Sequence, residues 1–480
     1  MEHGLHCLPL GPAYIFSVLK QNRYNVEFCN LDYKRNLVDE QLSFTARERK
    51  FKKNINNPDN MFYLDFKRYL RTKKPIAILI NFHSSNLYHA IMNIVMMIKE
   101  IDSEIKIIVG GMHPTVFPVE TIKEVCVDIV VRGEGEKTII ELIQSLEKGS
   151  DLQRIKGITY IDNGNVYSTA DREFIADLDR LPYPTQYMKY DKKQYNSNYY
   201  GTIMISRGCP AACRFCATQS MWKGNIRFRT PRNVIEEIRF IQNRFKTREF
   251  TFLDDAFTLN RNFVEEFCSL IRKERLNIIW TCLTRADLVD KNILKDMKSA
   301  GCYYILLGVE TGDQGILDAM DKKSNLEVVM ENTRMIQKEG ILTRAFFMLG
   351  YPNETMESLR NSQNLLRKIK PDSGIIFFTV PLPGSELYRD SDVRHHTWDD
   401  YNINFPGTIK LGGLNKADLL SAQRSMFTYL NKRRYIIIAK LLANPRYIYN
   451  RFLENIFDFP KSAAYLRRIA EAVLGISKVR

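Results

Sequence analysis

Short apolar runs alternate with longer helical patterns through most of this 480-residue chain. Within residues 1–150, such runs lie at 26–31, 76–81, 105–109 and 128–131. A run that is apolar throughout predicts a strand with both faces buried, as in a parallel sheet covered by helices. Residues 1–150 are therefore predicted to form a doubly wound, Rossmann-like α/β domain. Ligands of such domains bind beyond the carboxyl ends of the strands.

The same alternation returns after residue 200. Six strand-like runs, separated by helical segments, lie at 203–206, 249–253, 278–281, 304–309, 342–348 and 374–378. We expect a second α/β domain at 199–385. A connector at 151–198 carries a predicted β-hairpin around Asp162-Asn-Gly164. Residues 386–480 are predicted to form a helical, basic C-terminal region.

Three cysteines follow the first run of the second domain. Cys209, Cys213 and Cys216 lie within eight residues, a crowding that suits thiolate ligands of an iron–sulfur cluster. A four-iron cluster held by three thiols keeps one iron open to a small-molecule ligand. The alternatives are a zinc knuckle or three buried thiols. Zinc sites usually need four ligands, and the next cysteine is Cys268.

The Cys-x3-Cys-x2-Cys pattern, with the aromatic Phe215 before its last cysteine, resembles the radical SAM superfamily. The resemblance implies a partial (β/α)6 TIM-type barrel whose [4Fe-4S] cluster binds S-adenosylmethionine at the carboxyl ends of the strands. Asp254 then suits the ammonium group of this cofactor, Arg285 its carboxylate and Glu310 its ribose. Phe215 is expected near the adenine. Each polar residue has an alternative role as an ion pair or a helix cap.

Two glycine-containing strand ends are similar to the cobalamin-binding domain that precedes many radical SAM cores, namely Val109-Gly-Gly-Met-His-Pro-Thr115 and Arg132-Gly-Glu-Gly-Glu136. Glycine lets a large flat ligand press against the backbone. The resemblance assigns cobalamin contacts to Ser84, Gly110, Gly111, Gly133 and Glu134. Ordinary turns are the alternative. No Asp-x-His-x-x-Gly motif follows residue 31, so the resemblance implies binding without a protein histidine ligand. His113 is expected to be a hydrogen-bonding turn residue.

The layout is similar to a subgroup that contains anaerobic magnesium-protoporphyrin IX monomethyl ester cyclase and radical SAM C-methyltransferases. The resemblance implies reductive cleavage of S-adenosylmethionine to a 5′-deoxyadenosyl radical, with cobalamin as a further cofactor. The expected outcome is C-methylation of an unactivated carbon in a small-molecule or natural-product substrate. Flavodoxin or ferredoxin is the expected electron donor. The alternatives are a tetrapyrrole-type oxidative cyclase, an RNA methylthiotransferase and a non-enzymatic cobalamin or redox sensor.

Composition narrows these choices. Methylthiotransferases of this kind carry a second cysteine triad near the N-terminus, whereas Cys7, Cys29 and Cys126 are scattered. The net charge of +15 is a weak signal for nucleic acid, which we do not favour, or for peripheral membrane contact by residues 386–480. Without a signal peptide, a long apolar span or a paired-cysteine framework, the chain is expected to be cytoplasmic. No strand pattern precedes the helix predicted at 12–21, so we expect Met1 to be an internal start.

Overall fold

The computed structural model describes residues 7–30, 57, 61–191, 195–391, 397–404, 406, 413–433 and 440. Its helices are α1 (Leu10–Gln21), α2 (Met61–Lys73), α3 (Tyr88–Ile101), α4 (Met112–Val116), α5 (Pro118–Glu124), α6 (Gly135–Lys148), α7 (Thr218–Trp222), α8 (Pro231–Phe245), α9 (Arg261–Lys273), α10 (Lys291–Ser299), α11 (Gln314–Ala319), α12 (Leu326–Lys338), α13 (Met356–Ile369), α14 (Glu386–Asp390) and α15 (Lys416–Lys432). Its strands are β1 (Ala77–Asn81), β2 (Lys106–Gly110), β3 (Ile129–Val131), β4 (Ile158–Asp162), β5 (Asn165–Ser168), β6 (Thr202–Ile203), β7 (Ser206–Arg207), β8 (Arg227–Phe228), β9 (Glu249–Phe252), β10 (Ile279–Thr284), β11 (Cys302–Glu310), β12 (Leu342–Leu349) and β13 (Ser373–Phe378).

The N-terminal sheet has the order β1-β2-β3-β4-β5. Strands β1, β2 and β3 are parallel, and the predicted hairpin β4–β5 extends the sheet in antiparallel fashion. Ile107 and Val109 of β2 pack with α3 and α5 on one face, whereas Ile108 packs with α1 and α6 on the other. Because successive strand residues face opposite sides and both sides are covered, Ile107, Ile108 and Val109 must all be apolar. The doubly covered sheet is confirmed.

The strand predicted at 26–31 is wrong for the residues that the structure describes. Residues 24–30 form no regular element, and residue 31 lies outside the described part. Val26 and Phe28 pack against the apolar core, with the Phe28 ring 5.7 Å from Phe16 of α1. Glu27, between them, pairs with Lys73 at 2.7 Å. The alternating pattern therefore reflects an extended segment lying on α1 and α2. Residues 1–6, on which the internal-start expectation depends, also lie outside the described part.

The second sheet contains parallel strands in the order β13-β12-β11-β10-β9-β6. Ile305, Leu307 and Val309 of β11 lie in an apolar cluster with side chains of the surrounding helices. The other face of the strands lines the interior of an open barrel. This arrangement confirms the predicted partial (β/α)6 barrel, and it gathers the carboxyl ends of six strands at one rim.

Helix α15 covers the last barrel strand. Its Leu419, Met426 and Leu430 join the same apolar cluster, and Leu430 lies against Gly374 of β13. Apart from Lys440, the helices expected after residue 433 lie outside the described residues. Within the part of the chain that the structure describes, no helix has both the length and the apolar character needed to cross a membrane.

Candidate active site

The three-cysteine loop, residues 208–217, begins directly after β7 at the rim of the barrel. Gly208 has a φ of 101°, and a Cβ there would overlap the carbonyl oxygen of Asn225. The Cys216 N–H donates to the Cys213 carbonyl at 3.0 Å. The side-chain amide of Gln219 donates to the carbonyls of Cys209 at 3.1 Å and Ala211 at 2.7 Å. These hydrogen bonds end on backbone carbonyls of the loop and so fix its conformation.

The three thiols are partly exposed at this rim. Burial raises the pKa of the Cys213 thiol to about 11, although the charges of Lys322 and Arg285 lower it. Burial also raises the pKa of Cys209. Since a metal ligand must be the thiolate, metal binding would have to release these protons. Among the described residues, no group of three or more His, Cys, Asp or Glu side chains has the geometry to hold a single metal ion.

Asp254 follows β9 and is buried, with 3% of its surface exposed. Its carboxylate accepts hydrogen bonds from the backbone N–H of Ile205 at 3.0 Å, and from the N–H and hydroxyl of Ser206 at 2.6 and 2.7 Å. Burial raises the pKa of Asp254 to about 7, although these bonds lower it. The residue therefore holds the chain that leads into the three-cysteine loop. Its expected contact with the ammonium of S-adenosylmethionine stays a prediction.

Asp255, the next residue, has an exposed side chain. The surrounding protein nevertheless raises its pKa by desolvation. The helix-cap alternative for these two aspartates is wrong, because Asn260 caps α9 with its side chain on the N–H of Phe263. Asp255 is thus an accessible carboxylate at the rim, to which the sequence assigned no ligand contact.

Arg285 lies at the end of β10 close enough to Cys209 and Cys213 to affect their pKa values. Its guanidinium is already forked on Asp287, with Nε to Oδ1 at 3.0 Å and Nη2 to Oδ2 at 2.7 Å. Nη2 also donates to the Lys322 carbonyl at 2.7 Å. The ion-pair alternative is therefore realised. A contact with the carboxylate of S-adenosylmethionine stays a prediction and would have to share this guanidinium.

Glu310 ends β11 in a left-handed conformation with a φ of 68°, at an irregularity in the pairing with β12. Its buried carboxylate pairs with Lys322, whose ammonium also donates to the Gly308 carbonyl at 2.7 Å. A Cβ at residue 308 would lie 2.8 Å from the Lys322 nitrogen, so glycine leaves room for the pair. Left-handed backbone at a non-glycine residue stores strain, typically at functional sites. Lys322 gave no sequence signal. Ribose binding by Glu310 stays a prediction.

Phe215 anchors the loop by packing with Ile316, Met320, Tyr351 and Leu387. The neighbouring Arg214 N–H donates to the Met320 carbonyl at 3.0 Å, and its carbonyl accepts from the Leu387 N–H at 2.8 Å. These contacts explain an aromatic residue before the last cysteine without any ligand. The adenine contact expected of Phe215 stays a prediction.

The glycines at the strand ends of the N-terminal domain differ in how much space a side chain would have. At Gly111, with a φ of 121°, a Cβ would lie 2.7 Å from the carbonyl oxygen of Phe82. This glycine is therefore needed by the protein's own backbone, and its expected cobalamin contact stays a prediction. At Gly110 a Cβ would make ordinary contact with Val131. At Gly133, with a φ of 70°, a Cβ would meet no described heavy atom within 4 Å.

His113 is buried near these strand ends. Its Nδ1 is hydrogen-bonded to the Ser85 hydroxyl at 2.9 Å, and its ring stacks on Phe82 with centroids 4.1 Å apart. Trp398 meets the same ring edge-on at 4.9 Å. Burial lowers the pKa of His113 to about 4. The expected hydrogen bond is present, but His113 lies in helix α4 and not in a turn. Ser84 is partly buried, directly before this group, and its cobalamin contact stays a prediction.

The Glu134 carboxylate binds cations of the protein itself, and the cobalamin contact expected of this residue stays a prediction. It accepts from Arg207 at 2.6 Å, from Arg227 at 2.8 Å and from the Ile175 N–H at 2.7 Å. Glu136 binds the other terminal nitrogen of Arg207, also at 2.6 Å. A buried carboxylate must be paired, and here the barrel supplies the cations. The sequence alone does not show which distant residues meet, so it could not predict this pairing.

These features define an α/β enzyme with two domains, a doubly wound domain joined to a partial barrel that carries a three-thiol loop at its rim. Residues 203–366 match the family described as the radical SAM superfamily, and residues 2–143 match the B12 binding domain. The chain therefore combines a radical SAM domain with an N-terminal B12 binding domain. The predicted enzyme class is confirmed, and the B12 binding domain agrees with the predicted cobalamin cofactor. Binding of S-adenosylmethionine and of an iron–sulfur cluster by this chain stays a prediction.

Relatives share this arrangement. The chain is 27% identical over 404 residues to an uncharacterized methyltransferase of Pyrococcus horikoshii, covering 83% of this chain and 88% of that protein. It is 29% identical over 357 residues to the anaerobic magnesium-protoporphyrin IX monomethyl ester cyclase of Rubrivivax gelatinosus, covering 72% of this chain and 63%, under two thirds, of the cyclase. The structure of TsrM, a radical S-adenosylmethionine methyltransferase from Kitasatospora setae with cobalamin and a [4Fe-4S] cluster bound, has the same fold. It superposes with a TM-score of 0.65 at 15% identity, covering 92% of this chain and 87% of TsrM.

Proposed function

We propose that this chain is a cobalamin-dependent radical SAM enzyme that methylates an unactivated carbon of a small molecule. The observation that carries the proposal is the three-cysteine loop at the rim of the barrel. It directly follows Arg207, which binds Glu134 and Glu136 after the third strand of the N-terminal domain. Methylation is supported by the names of the Pyrococcus relative and of TsrM. In such a site the reacting groups of both domains face one another.

The residues fit the implied cofactors. Cys209, Cys213 and Cys216 would hold the cluster, because their partly exposed thiols share one short loop. Gly133 would face cobalamin, because the space above its Cα is open. When bound, the cluster and S-adenosylmethionine supply a radical that removes a substrate hydrogen, and cobalamin supplies the methyl group.

The chain's own residues position these groups. Asp254 fixes the start of the three-cysteine loop, and Phe215 fixes its end. Lys322 neutralises the Glu310 carboxylate beside the loop. The backbone of Glu310 itself has a strained, left-handed conformation. Burial of these groups excludes water, which strengthens every polar contact made to a bound cofactor.

The barrel interior supports a substrate with an apolar carbon skeleton. Partly buried side chains line it in paired positions, including Leu283 beside Leu306, Phe346 beside Ile375 and Met348 beside Phe377. Leu253, directly after β9, is 45% exposed although the residues on either side of it are buried. Polar groups lie below this layer, where Arg344 contacts Ser373 at 2.9 Å and lies 5.4 Å from the Tyr304 ring.

Oxidative cyclisation is a second candidate. It is favoured by the Rubrivivax cyclase relative and by an interior whose apolar walls also suit a tetrapyrrole. The net charge of +15 favours an acidic electron donor such as flavodoxin or ferredoxin in either case.

The test is anaerobic purification with hydroxocobalamin, followed by ultraviolet–visible spectra and turnover with S-adenosylmethionine carrying a deuterated methyl group. We expect bound cobalamin, cluster absorbance, 5′-deoxyadenosine and a deuterated-methyl product from a cell extract. An oxidised product without the label would favour the cyclase. Absence of 5′-deoxyadenosine from a fully loaded protein would contradict both.

A further inference from the structure

One arginine of the barrel is bonded to two acidic residues of the N-terminal domain. Arg207 lies two residues before Cys209 and is 5% exposed. Its Nη1 donates to Glu134 and its Nη2 to Glu136, both at 2.6 Å. Its guanidinium also lies 4.8 Å from the ring of Tyr14 in α1. All three partners of the guanidinium in these contacts belong to the N-terminal domain.

The two carboxylates come from the turn between β3 and α6. Glu134 directly follows Gly133, and Glu136 lies in the first turn of α6, where the helix dipole also favours negative charge. The Gly133 N–H is held by the Thr115 hydroxyl at 3.0 Å, which ties the neighbouring strand end to the same turn. A single side chain thus links the turn that would face cobalamin to the loop that would hold the cluster.

A second arginine, Arg227, also binds the Glu134 carboxylate. Arg227 of β8 is paired with Arg207 of β7 in a two-stranded ribbon. Its Nη1 donates to Glu134 at 2.8 Å and to the Ile175 carbonyl at 2.7 Å. Its guanidinium lies 4.8 Å from the Phe174 ring and 5.5 Å from the Trp222 ring. Two cations therefore face two anions at a buried site. Forked arginine pairs fix geometry more narrowly than apolar contacts do.

We propose that Arg207, Arg227, Glu134 and Glu136 form an interdomain clamp that sets the spacing between the turn at 133–136 and the three-cysteine loop. Arg207 is its central positioning residue. The Arg-Gly-Glu-Gly-Glu motif then has two roles divided by residue type, with Gly133 open towards the cofactor and the carboxylates turned to the barrel. The spacing matters because a methyl group passes only between closely apposed partners. This consequence rests on the proposed function, whereas the clamp itself does not.

Three variants test the clamp. Arg207→Lys keeps the charge but loses the fork, and Arg207→Gln/Glu136→Gln removes one charge of each sign, so that the net charge of the site is unchanged. Arg172→Lys is the matched control, because Arg172 is forked on Glu141 of the same helix α6 but does not reach the three-cysteine loop. If the double variant fails to fold, Arg207→Lys carries the test alone.

The first measurement needs no cofactor. In the apoprotein, hydrogen–deuterium exchange at residues 129–136 and 203–216 should become about tenfold faster in both clamp variants, and stay unchanged in the control. The second measurement uses protein loaded with hydroxocobalamin and iron, at unchanged content of both. The magnetic broadening of the Co(II) signal by the reduced cluster should differ from wild type only in the clamp variants.

Unchanged exchange and unchanged broadening in Arg207→Lys would overturn the proposal. Faster exchange with unchanged broadening would also overturn it, because the pair would then stabilise the interface without setting the spacing. Failure of the wild type to load either cofactor would refute the proposed function, while the exchange measurement would still decide whether the two loops are coupled.

Discussion

The Asp254 carboxylate accepts a hydrogen bond from the backbone N–H of Ser206 at 2.6 Å, three residues before Cys209. This bond joins the end of β9 to the chain that enters the three-cysteine loop. The same carboxylate also binds the Ile205 N–H and the Ser206 hydroxyl. Because β9 is itself held by β6 and β10, the first cysteine is positioned by the core of the barrel.

Asp254→Asn should therefore lower the iron content of the reconstituted protein, since an amide N–H₂ group would replace an oxygen that accepts from the Ile205 N–H at 3.3 Å. The measurement is iron per chain after anaerobic reconstitution. Asp255→Asn is the control, because this neighbouring side chain is exposed and holds no part of the loop in the described contacts. Equal iron content in all three proteins would show that the bond is dispensable.

Gly133→Asn should reduce bound cobalamin while leaving the apoprotein folded. Asparagine tolerates the left-handed backbone at this site, and its side chain would occupy the open space. Gly149→Asn is a matched control, because Gly149 has a φ of 62° and similar free space but ends α6 away from the strand ends. The readout is cobalamin per chain from visible absorbance. Equal loss in both variants would point to backbone strain instead.

Gly111→Val should behave differently from Gly133→Asn. Its new side chain would collide with the Phe82 carbonyl, so the thermal midpoint of the apoprotein should fall before any ligand is added. An unchanged midpoint with loss of cobalamin alone would restore the ligand-facing explanation of this glycine.

Lys322→Met should leave Glu310 buried without its partner. Breaking a buried ion pair in this way costs about 3–5 kcal/mol, seen as a lower thermal midpoint of the apoprotein. Lys322→Met/Glu310→Gln should recover most of that loss because no charge remains unpaired. A double variant as unstable as the single one would mean that Lys322 acts through some other contact.

His113 should make the protein less stable as the pH falls from about 6.5 to 4. Burial lowers its pKa to about 4 in the folded chain, whereas the unfolded value is about 6.5. Between these values only the unfolded state takes up the proton, at a cost of roughly 3 kcal/mol by pH 4. His113→Phe should flatten this slope, and Ser85→Ala should keep it because burial is the cause. The check is the unfolding midpoint against pH.

The sequence correctly predicted elements that depend on a local pattern of apolar residues. The strand at 76–81 corresponds to β1, Ala77–Asn81, because a fully apolar run has to be covered on both faces. The strand predicted at 26–31 is wrong because Val26 and Phe28, although apolar, pack against helices and do not join a sheet. The ion pairs of Glu134 and Lys322 were not predicted, for a different reason. Their partners lie 73 residues away at Arg207 and 12 residues away at Glu310, so their roles exist only after folding.

The most direct test of the account is the electron paramagnetic resonance spectrum of the reduced, anaerobically reconstituted protein before and after addition of S-adenosylmethionine. We predict about four irons per chain and a spectrum that changes on addition, because three thiols leave one iron open. Cys213→Ala should lose the signal, whereas the exposed Cys126 can be replaced by Ser without effect. A spectrum indifferent to S-adenosylmethionine, or a full cluster in Cys213→Ala, would contradict the account.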